Sequence, residues 1–338
     1  MAPVTVLGGT FAGVAAATRL ARVGHTVTLI AAPGWADGLR ATLGETLDFP
    51  APWRDLFKKT GRPAAGALGL HGLELVADPD GPPTDRAGVW YTDLEALGEP
   101  AARAWRDLVD AADGVWQAVR PLGVEAELTP DAVARAGLHP RRSLADIART
   151  LPHPALAARL DRLAAARGVP AADTPAWLTT RLAVERTFGR WRLVDSTRAL
   201  VPTAALVDVL RDRLDARGVR IVAGDPAPDA AASPAGPQPA GSSATEGVRP
   251  GQAVIDTRDP GVCWHRPRPL RRHDSFVDQL LARPALCTPG RPGHFHASAS
   301  SPAGNEPWAQ LLSGALAAYA AHDFLTGEDI RPTNKALR

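Results

Sequence analysis

Residues 4 to 33, VTVLGGTFAGVAAATRLARVGHTVTLIAAP, constrain this chain more than any other stretch. A short apolar run, Val4 to Leu7, ends in a glycine turn. FAGVAAATRLARVG then carries Val14, Ala17, Leu20 and Ala21 at helical spacing and stops at Gly24. HTVTLIA reads as a buried parallel strand. A βαβ unit of about thirty residues is the size of one half of a nucleotide-binding fold. The helix would open at Phe11, Ala12 and Gly13, whose free N–H groups and positive dipole end suit an anion.

Beyond it the pattern changes twice. Residues 34 to 60 read as loop and then helix, and from about 92 to 190 apolar residues recur at intervals of three and four with no strand pattern between them. Trp105, Trp116 and Trp177 fall on that helical spacing and are expected in a core. The helix TAALVDVLRDRLDARG, the strands at 219–223 and 252–257, the segment GHFHASAS and a last apolar helix restore α/β character. A nucleotide domain split by a helical insertion accounts for this order. Its parts are 1–60 and 196–262, with a helical domain at 61–195 and a closing strand and helix at 291–330. Residues 224–250, rich in Pro, Ala, Gly and Ser, read as a mobile insertion, and 263–290 as a basic connecting segment.

The 338 residues carry a formal charge of only +2, so no global field draws in nucleic acid or membrane. The longest apolar stretch, LLSGALAAYAA, is shorter than the roughly 20 residues a bilayer demands. Cys263 and Cys287 stand apart without metal spacing, and no export signal opens the chain, so a cytoplasmic protein is expected.

Taken in order, VLGGTFAGVAAATRLARVGHTVTLI, LDFPAPWRDLFKKTGR, RLAVERTFGRW, LRDRLDARGVRIVAG and SPAGNEPWAQLLSGALAAYAAH resemble the FAD-dependent amine oxidase and phytoene desaturase-like oxidoreductases. The resemblance implies an FAD/NAD(P)-binding Rossmann-type domain split by a mostly helical substrate-type domain, and hydride removal from a small substrate onto the flavin. It places cofactor contacts at Gly8, Gly9, Thr10, Phe11, Ala12, Gly13 and Ala31, and near the C-terminus at Ser298 and Ala299. Gly8 and Gly13 keep the motif's first and third glycines. Thr10 replaces the middle one and either blocks a phosphate or offers it a hydroxyl. Ala31 stands where an acid would hold the adenosine ribose, and Ser298-Ala299 stand near a Gly-Asp pair.

Five residues are candidates for a substrate pocket. Glu185, Arg186 and Arg190 crowd charge onto one segment, and helical Glu–Arg pairing explains them equally well. His294 and His296 alternate on one strand, as acid–base groups or as hydrogen-bonded strand histidines. The main expectation is an FAD-dependent oxidoreductase. The alternative is a non-catalytic relative acting as a binding or scaffold protein for a protein partner, motivated by the losses at Thr10, Ala31, Ser298 and Ala299. NAD(P) in the same groove is a third reading without a residue to read either ribose.

Overall fold

The structure is a computed structural model that describes residues 1–47, 49–78, 96–120, 142–165, 170–174, 176–224, 251–258, 286–288, 290–297 and 306–331. The expected βαβ unit is formed by β1 (Pro3–Leu7), α1 (Phe11–Arg22) and β2 (Thr26–Ala31), with β1 and β2 parallel and Val4 opposite Val27. Three further strands, β6 (Arg220–Ala223), β7 (Ala253–Asp256) and β8 (His294–His296), complete a five-stranded sheet in the order β6-β2-β1-β7-β8. Every pairing in it is parallel. The protein is thus a mixed α/β fold on a parallel sheet.

The last helix of the series, Pro307–Thr326, is apolar on all sides and buried along most of its length; in chain order it is α10. It lies directly on α1. A Cβ added at Gly314 would fall 2.2 Å from the Ala12 carbonyl oxygen, so the absent side chain is what lets the two backbones meet. Below that contact, Arg19 of α1 is 4% exposed and donates to the Tyr319 hydroxyl of α10 at 3.0 Å and to Asp55 at 2.6 Å. Asp55 belongs to α3 (Pro50–Lys59), so one buried guanidinium ties three helices.

Two helices, α2 (Trp35–Thr42) and α4 (Ala64–Gly69), flank α3 in the chain, and Ala67 and Leu68 of α4 join the same core as the sheet. The packing unit of the sheet therefore continues past residue 60. Strand β3 (Leu73–Ala77) then leaves this unit and β4 (Trp191–Asp195) returns beside it, antiparallel, with β5 (Leu200–Val201) on the far side of β4. No strand periodicity announced this second sheet, because five-residue strands with mixed exposure carry almost no pattern.

Between those two strands comes a block of helices: α5 (Glu99–Val119), α6 (Leu144–Ala148), α7 (Pro154–Ala165) and α8 (Thr180–Phe188). Trp105, Val109, Leu156, Leu160 and Leu182 form its core, which places Trp105 where its spacing put it. Trp116 is buried as well, and the Trp177 side chain lies outside the described residues. An aromatic group closes the junction with the sheet unit. Phe49 stacks on Phe188 at 4.2 Å and meets Trp308 edge-on at 5.2 Å, with Trp116 against both Phe49 and Trp308. Arg181 of α8 adds an ion pair to Glu306, the residue that caps α10. After β5, α9 (Leu206–Ala216) buries Leu206, Val207, Leu210 and Leu214 and leads into β6.

Candidate functional site

The chain order within the parallel sheet reverses at β1: β2 and β6 extend to one side, β7 and β8 to the other. Connections diverge at such a point, and a crevice opens beyond the carboxyl ends of the strands. The glycine turn closes β1 there. Gly8 has φ +104°, and a Cβ on it would lie 2.8 Å from the Thr257 hydroxyl and 3.2 Å from the Arg258 amide. Its own amide donates to the Ile30 carbonyl at 2.8 Å. At Gly13 a Cβ would lie 2.2 Å from the Gly8 carbonyl oxygen, which explains how α1 can start so close under the turn.

Gly9 and Thr10 meet side chains from elsewhere in the chain. A Cβ on Gly9 would strike the Trp35 side chain at 2.6 Å, so the indole uses the space that glycine leaves. Thr10 is the N-cap of α1: its hydroxyl accepts from the Gly13 amide at 3.0 Å and donates to the Thr257 hydroxyl at 2.9 Å. Thr257, fully buried, donates in turn to the Leu7 and Gly8 carbonyls. Of the first-turn amides, Phe11 and Ala12 precede any intrahelical acceptor. Their side chains are core: Phe11 meets Trp53 edge-on at 5.5 Å, and Ala12 lies beneath Gly314.

Ala31 ends β2 with its methyl buried, 1% exposed, and its carbonyl accepting from the Gly224 amide at 3.0 Å. Residue 31 itself therefore offers no acceptor side chain. Ser298 and Ala299, the C-terminal members of the expected site, lie outside the described residues, as do the proposed insertion beyond Gly224 and most of the basic segment.

Charge enters the crevice from β7, where sequence reasoning had assigned none. Asp256 ends that strand, and Arg258 folds back to clasp it, Nε to Oδ1 at 2.9 Å and a terminal nitrogen to Oδ2 at 2.6 Å. His296 is the register partner of Asp256 on β8, as His294 is of Val254. Parallel pairing thus puts His294 and His296 on one face, with His296 next to the carboxylate. Burial pushes the His296 imidazole below its ordinary value, with Arg258 and Arg291 acting in the same sense and Asp256 opposing them. For Asp256, burial acts upward, but the hydrogen bonds and charge of Arg258 prevail and hold the carboxyl below the usual range. The signal that would have found these residues is the Asp-Thr ending a second apolar strand, VIDT, at a position where parallel strands present ligand-facing groups.

The third candidate group divides. Glu185 and Arg190 meet at 3.3 Å, and Arg190 also reaches Asp78, a carboxylate 1% exposed that Arg192 contacts at 2.8 Å. Arg186, one residue from Glu185, turns instead to Asp110 and Asp113 on α5. These pairs tie α8 to the end of β3 and to α5. Among the described residues no cluster of three His, Cys, Asp or Glu could hold a metal, and no helix is long and apolar enough to cross a membrane. No known family model matches the chain, and no curated protein matches it either.

Proposed function

We propose that this chain is a dinucleotide-type α/β protein whose cofactor frame is closed by its own side chains, and that it acts as a binding or scaffold protein rather than in hydride transfer. The Thr10 cap carries this reading. An amide that would face a pyrophosphate is hydrogen-bonded to Thr10, and Thr10 is held there by Thr257. Trp35 takes the space at Gly9, and Ala31 presents a buried methyl where ribose hydroxyls require an acceptor. These residues do not fit the adenosine diphosphate half of FAD. Each lost hydrogen bond costs about 1 kcal/mol or more, so together they remove several decades of affinity.

The test is the absorption spectrum of freshly purified protein, followed by an FAD titration read by melting temperature. A colourless protein that FAD does not stabilise is expected. A yellow protein carrying stoichiometric flavin overturns the proposal.

The strand order favours a second reading, an FAD-dependent oxidoreductase acting on a small substrate. Counted along the chain, the parallel strands run 3-2-1-4-5, the order of dinucleotide-binding sheets. On that reading the Phe11 and Ala12 amides would hold the pyrophosphate, and a bound flavin would supply the hydride-accepting chemistry. Asp256, Arg258 and His296 would be the polar groups at the same sheet edge. Tight FAD binding by the unaltered chain is the result that separates this reading from the first.

A further inference from the structure

Away from the crevice, Arg213 in the last turn of α9 and its C-cap residue Arg217 are two arginines that ordinary helix design would separate. Arg213 and Arg217 are four residues apart, so they share a face, and like charges in that relation destabilise a helix. Arg62, just beyond the end of α3, adds its charge to the same place and acts on Arg213 together with Arg217. Arg213 is 8% exposed, with its guanidinium 6.0 Å from the centre of the Phe57 ring. Burial, reinforced by those two cations, holds Arg213 below the usual arginine value.

Among the described residues, none of the three arginine side chains has a hydrogen-bond or ion-pair partner, and the Nε atoms of Arg213 and Arg217 are buried without an acceptor. The nearby acids are engaged elsewhere. Asp208 pairs with Arg40 and Asp212 with His71, while Asp215, two residues from each arginine, does not share their face. The carbonyls that end α3 are also taken, Leu56 and Phe57 by the Thr60 amide and hydroxyl, Phe57 and Lys58 by the Arg62 and Gly61 amides. The helix ends contribute about half a negative charge each, which leaves most of three positive charges uncompensated. Glycine makes room for the arrangement: at Gly61, with φ +105°, a Cβ would lie 2.3 Å from a terminal nitrogen of Arg217.

We infer that Arg62, Arg213 and Arg217 form a binding site for a phosphate group, separate from the crevice. Arg213 is buried, Arg217 half-buried and Arg62 exposed, so a buried cation without an acceptor sits behind an open side from which an anion can reach it. Arginine forks match tetrahedral oxyanions, and a phosphate dianion offers enough oxygens for three of them where a single carboxylate does not. The site lies where α9 runs down to the start of β6, at the amino ends of the parallel strands. The glycine turn is at their carboxyl ends.

The test is calorimetric titration and thermal melting of the full chain with inorganic phosphate, against sodium chloride at matched ionic strength. Glycerol 3-phosphate in a parallel titration distinguishes free phosphate from an esterified phosphoryl group. Phosphate is expected to raise the melting temperature of the wild type where chloride does not. R217Q and R62Q are expected to fold, to lose that rise, and to bind phosphate at least about tenfold more weakly, the loss of one charge-assisted hydrogen bond. Equal binding of both anions means the phosphoryl group is the recognised element. Binding of inorganic phosphate alone means the free ion is the ligand. Identical melting in phosphate and chloride overturns the proposal, and so does a full phosphate response in R217Q.

Discussion

Replacing Thr10 by alanine tests the reading of the glycine turn directly. The hydroxyl makes two bonds, accepting from the Gly13 amide at 3.0 Å and donating to Thr257 at 2.9 Å. An N-cap of this kind contributes about 1 kcal/mol, and the partly buried hydroxyl pair contributes about 1 kcal/mol more. Thr10→Ala should therefore lower the free energy of unfolding by about 2 kcal/mol, or about 4–8 °C in melting temperature for a unit of this size. Thr10→Ser keeps both bonds and should match the wild type. Thr10→Gly tolerates the cap position but loses Thr257, and should fall between them. The assay is denaturant unfolding followed by tryptophan fluorescence, to which Trp53, buried edge-on against Phe11 at the start of α1, contributes. The midpoint should move while the slope stays constant. An alanine variant within about 0.3 kcal/mol of wild type refutes the cap. A serine variant as unstable as alanine refutes it equally.

Three further outcomes are expected. Asp55→Asn leaves the buried Arg19 without its carboxylate and should cost about 3 kcal/mol or more in denaturant unfolding. Phe49→Ala opens a hole among Phe188, Trp116 and Trp308 and should cost about 3 kcal/mol, with loss of the tryptophan near-UV circular dichroism. His25 lies buried with its Nε2 at 2.8 Å from Nδ1 of His322, and burial, with that neighbour, lowers its pKa below the ordinary 6.5. The unfolded chain then takes up the proton first, so stability present above pH 6.5 should decline as the pH falls below it. Unfolding curves of His25→Gln should be flatter over that range.

The first βαβ unit was legible because its determinants are local. Apolar spacing, a glycine stop and a positive-φ glycine all lie within thirty residues, and each acts on its own neighbourhood. The later parallel strands were legible for the same reason, since short apolar runs bounded by turns mark themselves. The antiparallel pair β3 and β4 was not, because it joins residues more than a hundred positions apart through half-exposed faces. The site divided along the same line. Its glycines were evident, whereas Asp256, Thr257 and Arg258 gain their meaning from register with β1 and β8.

Sequence alone determined that the chain turns at Gly8, starts a helix at Phe11 and lacks an acid at residue 31. It left Thr10 with two possible roles, to offer a hydroxyl to a ligand or to stand in its way. The structure adds a role that local sequence does not show: the hydroxyl donates to Thr257, 247 residues further along, and accepts from the Gly13 amide. Glu185 and Arg186 were undecided in the same manner. Adjacent helical side chains point about 100° apart, so their partners depend on what packs on each side. Here the end of β3 lies on one side and α5 on the other. Local geometry follows from covalent neighbours, but the partner of a polar group follows from which distant segment folding brings against it.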